Sequence, residues 1–210
     1  MAESVAPGGG RFLEVGCGEG SNLLYLRERL PGTTFVGLDF SVEKVRFLQE
    51  SCPWSVAVCG DATRLPFDDA RFDVVLFRDL LHHVNWAREA VLREGLRVIR
   101  PQGVVIVLES NGRTLLNRTF QLLQPAERGL ADSTRANLLA LGGRVGRATI
   151  RHVEASFLVR ALGYLVGWRD DARRWLLGPL YRLAQAWERV LESILPEHRW
   201  TYMMMTLRRG

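Results

Sequence analysis

Three glycines on alternate positions, Gly16, Gly18 and Gly20, follow the apolar run Phe12-Leu13-Glu14-Val15. Behind them Ser21 opens a segment in which Leu23, Leu24, Leu26 and Leu30 recur at helical spacing. The unit reads as strand, tight turn, helix. Glycine suits such a turn because the backbone must reverse sharply and a Cβ would block a ligand lying against it. The helix start behind it offers free N–H groups and the positive end of a dipole. The order E-x-G-x-G-x-G differs from the dinucleotide pattern G-x-G-x-x-G. A carboxylate two residues before the first glycine repels a pyrophosphate and suits a ligand bearing an ammonium or sulfonium charge. An ordinary strand-to-helix turn is the bland alternative.

A chain of 210 residues is long enough for one sizeable α/β domain with an elaboration, and 47% hydrophobic and 24% charged residues are ordinary for a water-soluble protein. No apolar run approaches the roughly 20 residues needed to span a bilayer. The start M-A-E-S-V-A-P-G-G-G carries no basic and apolar leader pattern, and Cys17, Cys52 and Cys59 have no metal-ligand spacing, so a cytoplasmic chain with free thiols and no metal is expected. Charge is unevenly spread: residues 1–112 hold 12 Lys+Arg against 15 Asp+Glu, and residues 113–210 hold 16 against 8, a net +8. The second half should attract anions or an acidic membrane surface.

In chain order, Thr33–Asp39 reads as a second strand, with Ser41 as N-cap of a helix over Val42–Glu50. Asp39 lies 19 residues past Gly20, the spacing at which a carboxylate meets ribose hydroxyls in a βαβ nucleotide site. Ser55–Cys59 is a third strand and Phe72–Phe77 an apolar fourth, followed by Arg78-Asp79-Leu80-Leu81-His82-His83. Asn85–Ile99 is an amphipathic helix and Val104–Leu108 a fifth strand ending in Glu109-Ser110-Asn111. This alternation implies a parallel sheet with right-handed crossovers and a ligand outside the carboxyl ends of its strands. Thr114–Leu123 and Asp132–Leu141 read as helices, the latter stopped by Gly142-Gly143, and Ala148–Glu154 as a sixth strand. Asp171–Leu195 is a long helical stretch with a break possible at Gly178-Pro179, and Trp200–Leu207 is the last strand.

Residues 11–112 resemble the class I S-adenosylmethionine-dependent methyltransferases, in the small-molecule, type 11-like branch. The resemblance lies in E-V-G-C-G-E-G, L-D-F, G-D-A-T-R-L-P-F, F-D-V-V-L-F-R-D-L-L-H-H-V and L-R-V-I-R-P-Q-G-V-V-I-V-L-E-S, in order. It implies a Rossmann-like three-layer α/β sandwich with a mostly parallel seven-stranded sheet, order 3-2-1-4-5-7-6, the seventh strand antiparallel. It implies one domain over 1–210: a cofactor-binding core over 11–112, a helical acceptor or lid region with the sixth strand over 113–198, and the last strand over 199–208. It implies S-adenosylmethionine as cofactor and S-adenosylhomocysteine as product. Glu14 and Gly16 would face the methionine end, with Cys17, Gly18 and Gly20 in the same loop. Asp39 would take the ribose, Phe40 the adenine face, Asp61 and Ala62 the adenine edge, and Arg78 would lie near the sulfonium. Arg78-Asp79 departs from the family, which more often has a small residue at the first position. An arginine beside a sulfonium is unfavourable, so its side chain is expected to turn to solvent, to Asp79 or to an anionic acceptor.

Methyl transfer from a sulfonium is an in-line displacement that chiefly needs positioning and exclusion of water, and a hydroxyl or carbon acid also needs a base. His82 and His83 are the candidates for that base, with packing or capping as their competing role. Because few residues precede the first strand, the acceptor site is expected from 112–198, with Arg113 and Arg118 holding an acidic or phosphorylated group on a small or lipid-linked molecule. The face of the 171–195 helix reads as core, a dimer surface or a shallow peripheral membrane contact; the oligomeric state stays open. No basic-aromatic pattern for nucleic acid is seen. A non-catalytic cofactor-binding or interaction protein remains the alternative. A nicotinamide-dependent oxidoreductase is disfavoured by Glu14 and the glycine spacing.

Overall fold

A computed structural model describes residues 9–156, 158–159 and 171–210. Seven strands form one sheet in the order β3-β2-β1-β4-β5-β7-β6. They are β1 (Arg11–Val15), β2 (Thr34–Asp39), β3 (Val56–Cys59), β4 (Phe72–Arg78), β5 (Ile99–Ser110), β6 (Arg147–Glu154) and β7 (Tyr202–Arg208). β1 pairs in parallel with β2 and β4, β2 with β3, and β4 with β5. β7 runs antiparallel to both β5 and β6. The sheet is therefore mixed, parallel through its first five strands, as the resemblance implied.

Apolar residues on both faces of the central strands explain the layering. Leu13, Val15, Val75, Phe77, Val105 and Val107 pack on one side with Val91, Leu92, Leu138 and Leu141. Phe12, Phe35, Val74, Leu76, Val104 and Ile106 pack on the other with Leu23, Leu26 and Leu48. Helices α1 (Ser21–Arg27) and α2 (Val42–Ser51) thus cover one face, and α3 (Arg88–Val98) and α5 (Arg135–Val145) the other. Truncating a fully buried side chain such as Phe77 to alanine would cost about 3–5 kcal/mol. Ser41 caps α2 as expected, its Oγ accepting from the Lys44 N–H at 3.3 Å.

Two sequence expectations are corrected. α5 runs through Gly142-Gly143 to Val145, because Gly142 is buried against β6 and β7: a Cβ there would lie 2.7 Å from that of Ala148 and 2.8 Å from Met205 Sδ. The glycine serves close packing of helix on sheet, not a stop. The long helix α6 (Asp171–Ile194) also continues past Gly178-Pro179, with Pro179 inside it. Helix α4 (Leu115–Leu123) and a run of 3-10 turns over Pro125–Asp132 lie between β5 and α5. No helix among the described residues is long and apolar enough to cross a membrane.

Strand register defines one working edge. Asp39 pairs with Cys59 at the ends of β2 and β3, and Arg78 pairs with Leu108 near the ends of β4 and β5. Tyr202 opens β7 opposite Ser110 and Glu154, so the end of β6 and the start of β7 share that edge.

Candidate active site

The turn after β1 places Gly16, Gly18 and Gly20 at φ +75°, +53° and +81°, a region that side-chain-bearing residues rarely enter. At Gly18 a Cβ would meet nothing within 4 Å, so this stretch of backbone faces open space. The loop is tied to β2: the Gly16 and Cys17 N–H groups donate to Leu38 O at 2.7 and 3.0 Å. Asp39, almost wholly buried, accepts from the Gly18 N–H at 2.9 Å with one oxygen and from the Ser41 N–H at 3.0 Å with the other. It ties the glycine turn to the start of α2. Cys17 lies under the loop, and burial, with the Glu14 and Asp39 charges adding, pushes its thiol well above the ordinary range.

Glu14 is fully buried. Its Oε1 accepts from Asn22 Nδ2 at 2.6 Å, whereas its Oε2 has no hydrogen-bond partner among the described residues. Burial raises its pKa from 4.5 to about 7, against the lowering pull of the Asn22 hydrogen bond and the Arg78 charge. A buried acceptor without a donor costs about 1–3 kcal/mol. A cationic donor placed beside the turn would relieve that cost, and the α-ammonium of S-adenosylmethionine has the required chemistry. The cradle therefore fits the cofactor that the sequence resemblance implies.

Asn22 is the link that the sequence reading missed. Its Oδ1 accepts from Arg78 Nη1 at 2.5 Å while its Nδ2 serves Glu14. Arg78 Nε lies 3.9 Å from Asp79, and the guanidinium stands 6.0 Å from the centre of the Tyr202 ring. Arg78 thus turns to Asn22 and Asp79, one of the directions expected. Asp79 adopts φ +49° and accepts from the Tyr202 hydroxyl at 2.6 Å. No sequence spacing could have joined residues 79 and 202, because the antiparallel insertion of β7 brings them together.

Phe40 is 80% exposed beside Asp39. Asp61 is exposed, with Oδ1 accepting from the Thr63 N–H at 2.8 Å, and Ala62 is half-buried. These residues follow β2 and β3 on the same edge as the glycine turn.

His82 and His83 diverge. His82 is buried, with Nδ1 2.7 Å from Glu109 Oε2 and Nε2 3.4 Å from Glu127 Oε2. Glu109, fully buried, also accepts from the Leu81 N–H at 2.6 Å. Burial pulls the His82 pKa down, but the Glu109 hydrogen bond and charge, with Asp79 and Glu127 adding, leave it above 6.5. His83 is exposed, and partial burial of its ring, followed by the neighbouring His82, lowers its pKa. Atoms of His82, His83 and Glu127 lie within 4.8 Å of one another. The role of Glu109 was missed, although its place at the end of β5 was legible.

The segment over Pro125–Asp132 packs onto this corner. Arg88, buried in α3, donates to Leu81 O at 3.0 Å and Gly129 O at 2.9 Å, clamping the segment to the turn that carries His82. Arg113 and Arg118 are exposed where the chain leaves β5; Asn111, which accepts from the Arg113 N–H, donates to Trp200 O at 2.9 Å.

Residues 13–107 match a family model described as a methyltransferase domain. A phthiotriol/phenolphthiotriol dimycocerosates methyltransferase of Mycobacterium tuberculosis is 38% identical over 104 residues, covering 49% of this chain and 38% of that protein. A fatty-acid O-methyltransferase of Mycolicibacterium smegmatis is 35% identical over 107 residues, covering 50% of this chain and 39% of that protein. The match thus spans well under half the length of these curated relatives. Among solved structures, a phosphoethanolamine N-methyltransferase 2 of Haemonchus contortus, in complex with S-adenosyl-L-methionine, has a TM-score of 0.66 at 14% identity, covering 98% of this chain and 50% of that one. The [4+2]-cyclase SpnF has a TM-score of 0.63 at 22% identity, covering all of this chain and 79% of that one. At these identities the structures share the fold.

Proposed function

We propose that this chain, whose residues 13–107 match a model described as a methyltransferase domain, binds S-adenosylmethionine at the β1 turn and transfers its methyl group to a small or lipid-linked acceptor. The observation that carries the reading is the buried Glu14 oxygen without a donor, beside a glycine turn open to a ligand. The ammonium of the cofactor supplies that donor, and Asn22 holds the carboxylate in place. Asp39 would hold the ribose, and Phe40, Asp61 and Ala62 the adenine; all four lie at or just after the ends of β2 and β3, on the edge that carries the glycine turn. The cofactor, when bound, supplies an electrophilic methyl group. The protein's part is to orient the acceptor and exclude water.

Where the acceptor is a hydroxyl or an acid, His82 is the better placed of the two histidines. Glu109 fixes its tautomer and orientation through Nδ1, which leaves Nε2 to exchange a proton with Glu127 or the acceptor. Arg113 and Arg118 stand ready for an anionic acceptor group. The lipid-linked option is supported by the relatives, whose names describe methyl transfer to fatty acids and to dimycocerosates. The second reading is a non-catalytic S-adenosylmethionine-binding or interaction protein of the same fold, since a fold by itself does not fix an activity. Incubation with S-adenosylmethionine and a panel of fatty acids, quinols and phosphorylated amino alcohols tests the proposal. Acceptor-dependent S-adenosylhomocysteine is expected; cofactor binding without product for any acceptor would favour the second reading.

A further inference from the structure

Among the described residues, nothing covers one apolar face of helix α6. Leu180, Leu183, Trp187, Val190 and Ile194 recur at steps of three and four, and each is exposed by about half or more. At 1.5 Å per residue they make a stripe roughly 20 Å long. Leu180, Leu183, Trp187 and Val190, with Leu158, line an apolar groove of about 650 Å³. The helix is anchored by its other side: Glu188, buried, accepts from the Ser156 N–H at 2.8 Å and from its hydroxyl at 2.5 Å. Ser156 lies just past Glu154, which pairs with Tyr202, whose hydroxyl holds Asp79. The stripe therefore hangs off the edge of the sheet that carries the glycine turn and Arg78.

Charge decides what covers it. The half of the chain that bears the stripe carries 16 Lys+Arg against 8 Asp+Glu; on α6 itself Arg182, Arg189 and Glu192 are exposed, so the excess belongs to the half and not to the helix alone. A second copy would bring this net +8 against itself. An anionic bilayer offers the opposite charge together with an apolar layer for leucines and a tryptophan, the composition by which an amphipathic helix lies in a membrane interface.

We propose that the exposed face of α6 docks this protein on an anionic lipid surface, with the working edge of its sheet turned toward the bilayer. The docking rests on the helix and the charge of this half, not on the methyltransferase reading. Where that reading holds, it brings the site to a membrane-resident acceptor.

The test is co-sedimentation of the full chain with vesicles, read without any activity assay. Vesicles of equal parts phosphatidylglycerol and phosphatidylcholine should retain the protein, pure phosphatidylcholine should retain little, and high salt should release it. Leu183→Glu with Ile194→Glu should weaken retention by about tenfold or more. Both side chains are about two-thirds exposed, so the variant should keep the wild-type circular dichroism and its cofactor affinity by calorimetry. Failure to bind the anionic vesicles, equal binding to neutral ones, or retention unchanged in the variant overturns the proposal. So does a dimer in sedimentation velocity that the variant dissolves, which would assign the face to a second copy. Cofactor affinity, measured separately, keeps either failure distinct from failure of the methyltransferase reading.

Discussion

Asn22 stands between Glu14 and Arg78, donating to the carboxylate at 2.6 Å through its Nδ2 and accepting from the guanidinium through its Oδ1. A buried anion and a cation are thereby coupled without touching. The second glutamate oxygen is left without a partner among the described residues, and Asn22 stands between the carboxylate and the guanidinium.

That arrangement makes Glu14 costly in the empty protein. Its folded pKa, about 7, lies above the ordinary 4.5, so the folded state holds the proton more tightly. Stability is therefore highest below pH 4.5 with respect to this group and is lost as pH rises through 7. Glu14→Gln should stabilise the cofactor-free protein at pH 8 by up to about 3 kcal/mol and by almost nothing at pH 4. The same variant should bind S-adenosylmethionine more weakly. Denaturant melts at the two pH values check the first effect; a variant less stable at pH 8 would contradict it.

The same shift predicts how pH acts on binding. An ammonium needs the ionised carboxylate, so affinity should fall as pH drops below about 7, and binding there should release close to one proton. Titration in buffers of different ionisation enthalpy measures that proton directly.

Asp39→Ala removes both backbone bonds that tie Gly18 and Ser41 to β2, together with the carboxylate proposed for the ribose. It should weaken cofactor binding by about 1.5–3 kcal/mol. Asp39→Asn, which retains an acceptor for the loop, should recover part of the folding stability and less of the affinity. Equal affinities for wild type and Asp39→Ala would remove Asp39 from the site.

The buried His82–Glu109 pair should contribute in a pH-dependent way. With His82 raised above 6.5, its contribution is complete below pH 6.5 and is lost as pH rises through the folded value. Glu109→Gln should cost about 3 kcal/mol at pH 6 and less at pH 9, because a buried charge loses its partner. Equal losses at both pH values would mean that the histidine is neutral throughout.

The two glycines of α5 should respond in opposite directions. Gly142→Ala drives a methyl into Ala148 and Met205 and should destabilise, whereas a Cβ on Gly143 meets nothing within 4 Å. Gly143→Ala should stabilise by up to about 1 kcal/mol, since it sits inside a helix. Thermal melts of the two variants compare them directly.

The parallel half of the sheet was legible because strands buried on both faces write nearly unbroken apolar runs, as in Phe72–Phe77, and glycine and carboxylate signals punctuate their ends. Glu14, Asp39 and His82 stood out as candidates for that reason. Asn22, Tyr202 and Glu109 were not assigned their roles, because their partners lie far along the chain and meet only through strand register. Gly142-Gly143 misled because a sequence cannot distinguish a glycine required by φ from one required by close packing.

Calorimetric titration of the chain with S-adenosylmethionine tests the central claim most directly. One site should bind the cofactor in the micromolar range or tighter, with affinity reduced in Glu14→Gln and in Asp39→Ala, and with no comparable binding of NAD. The absence of heat at high micromolar cofactor, or tighter binding of NAD, would contradict the account.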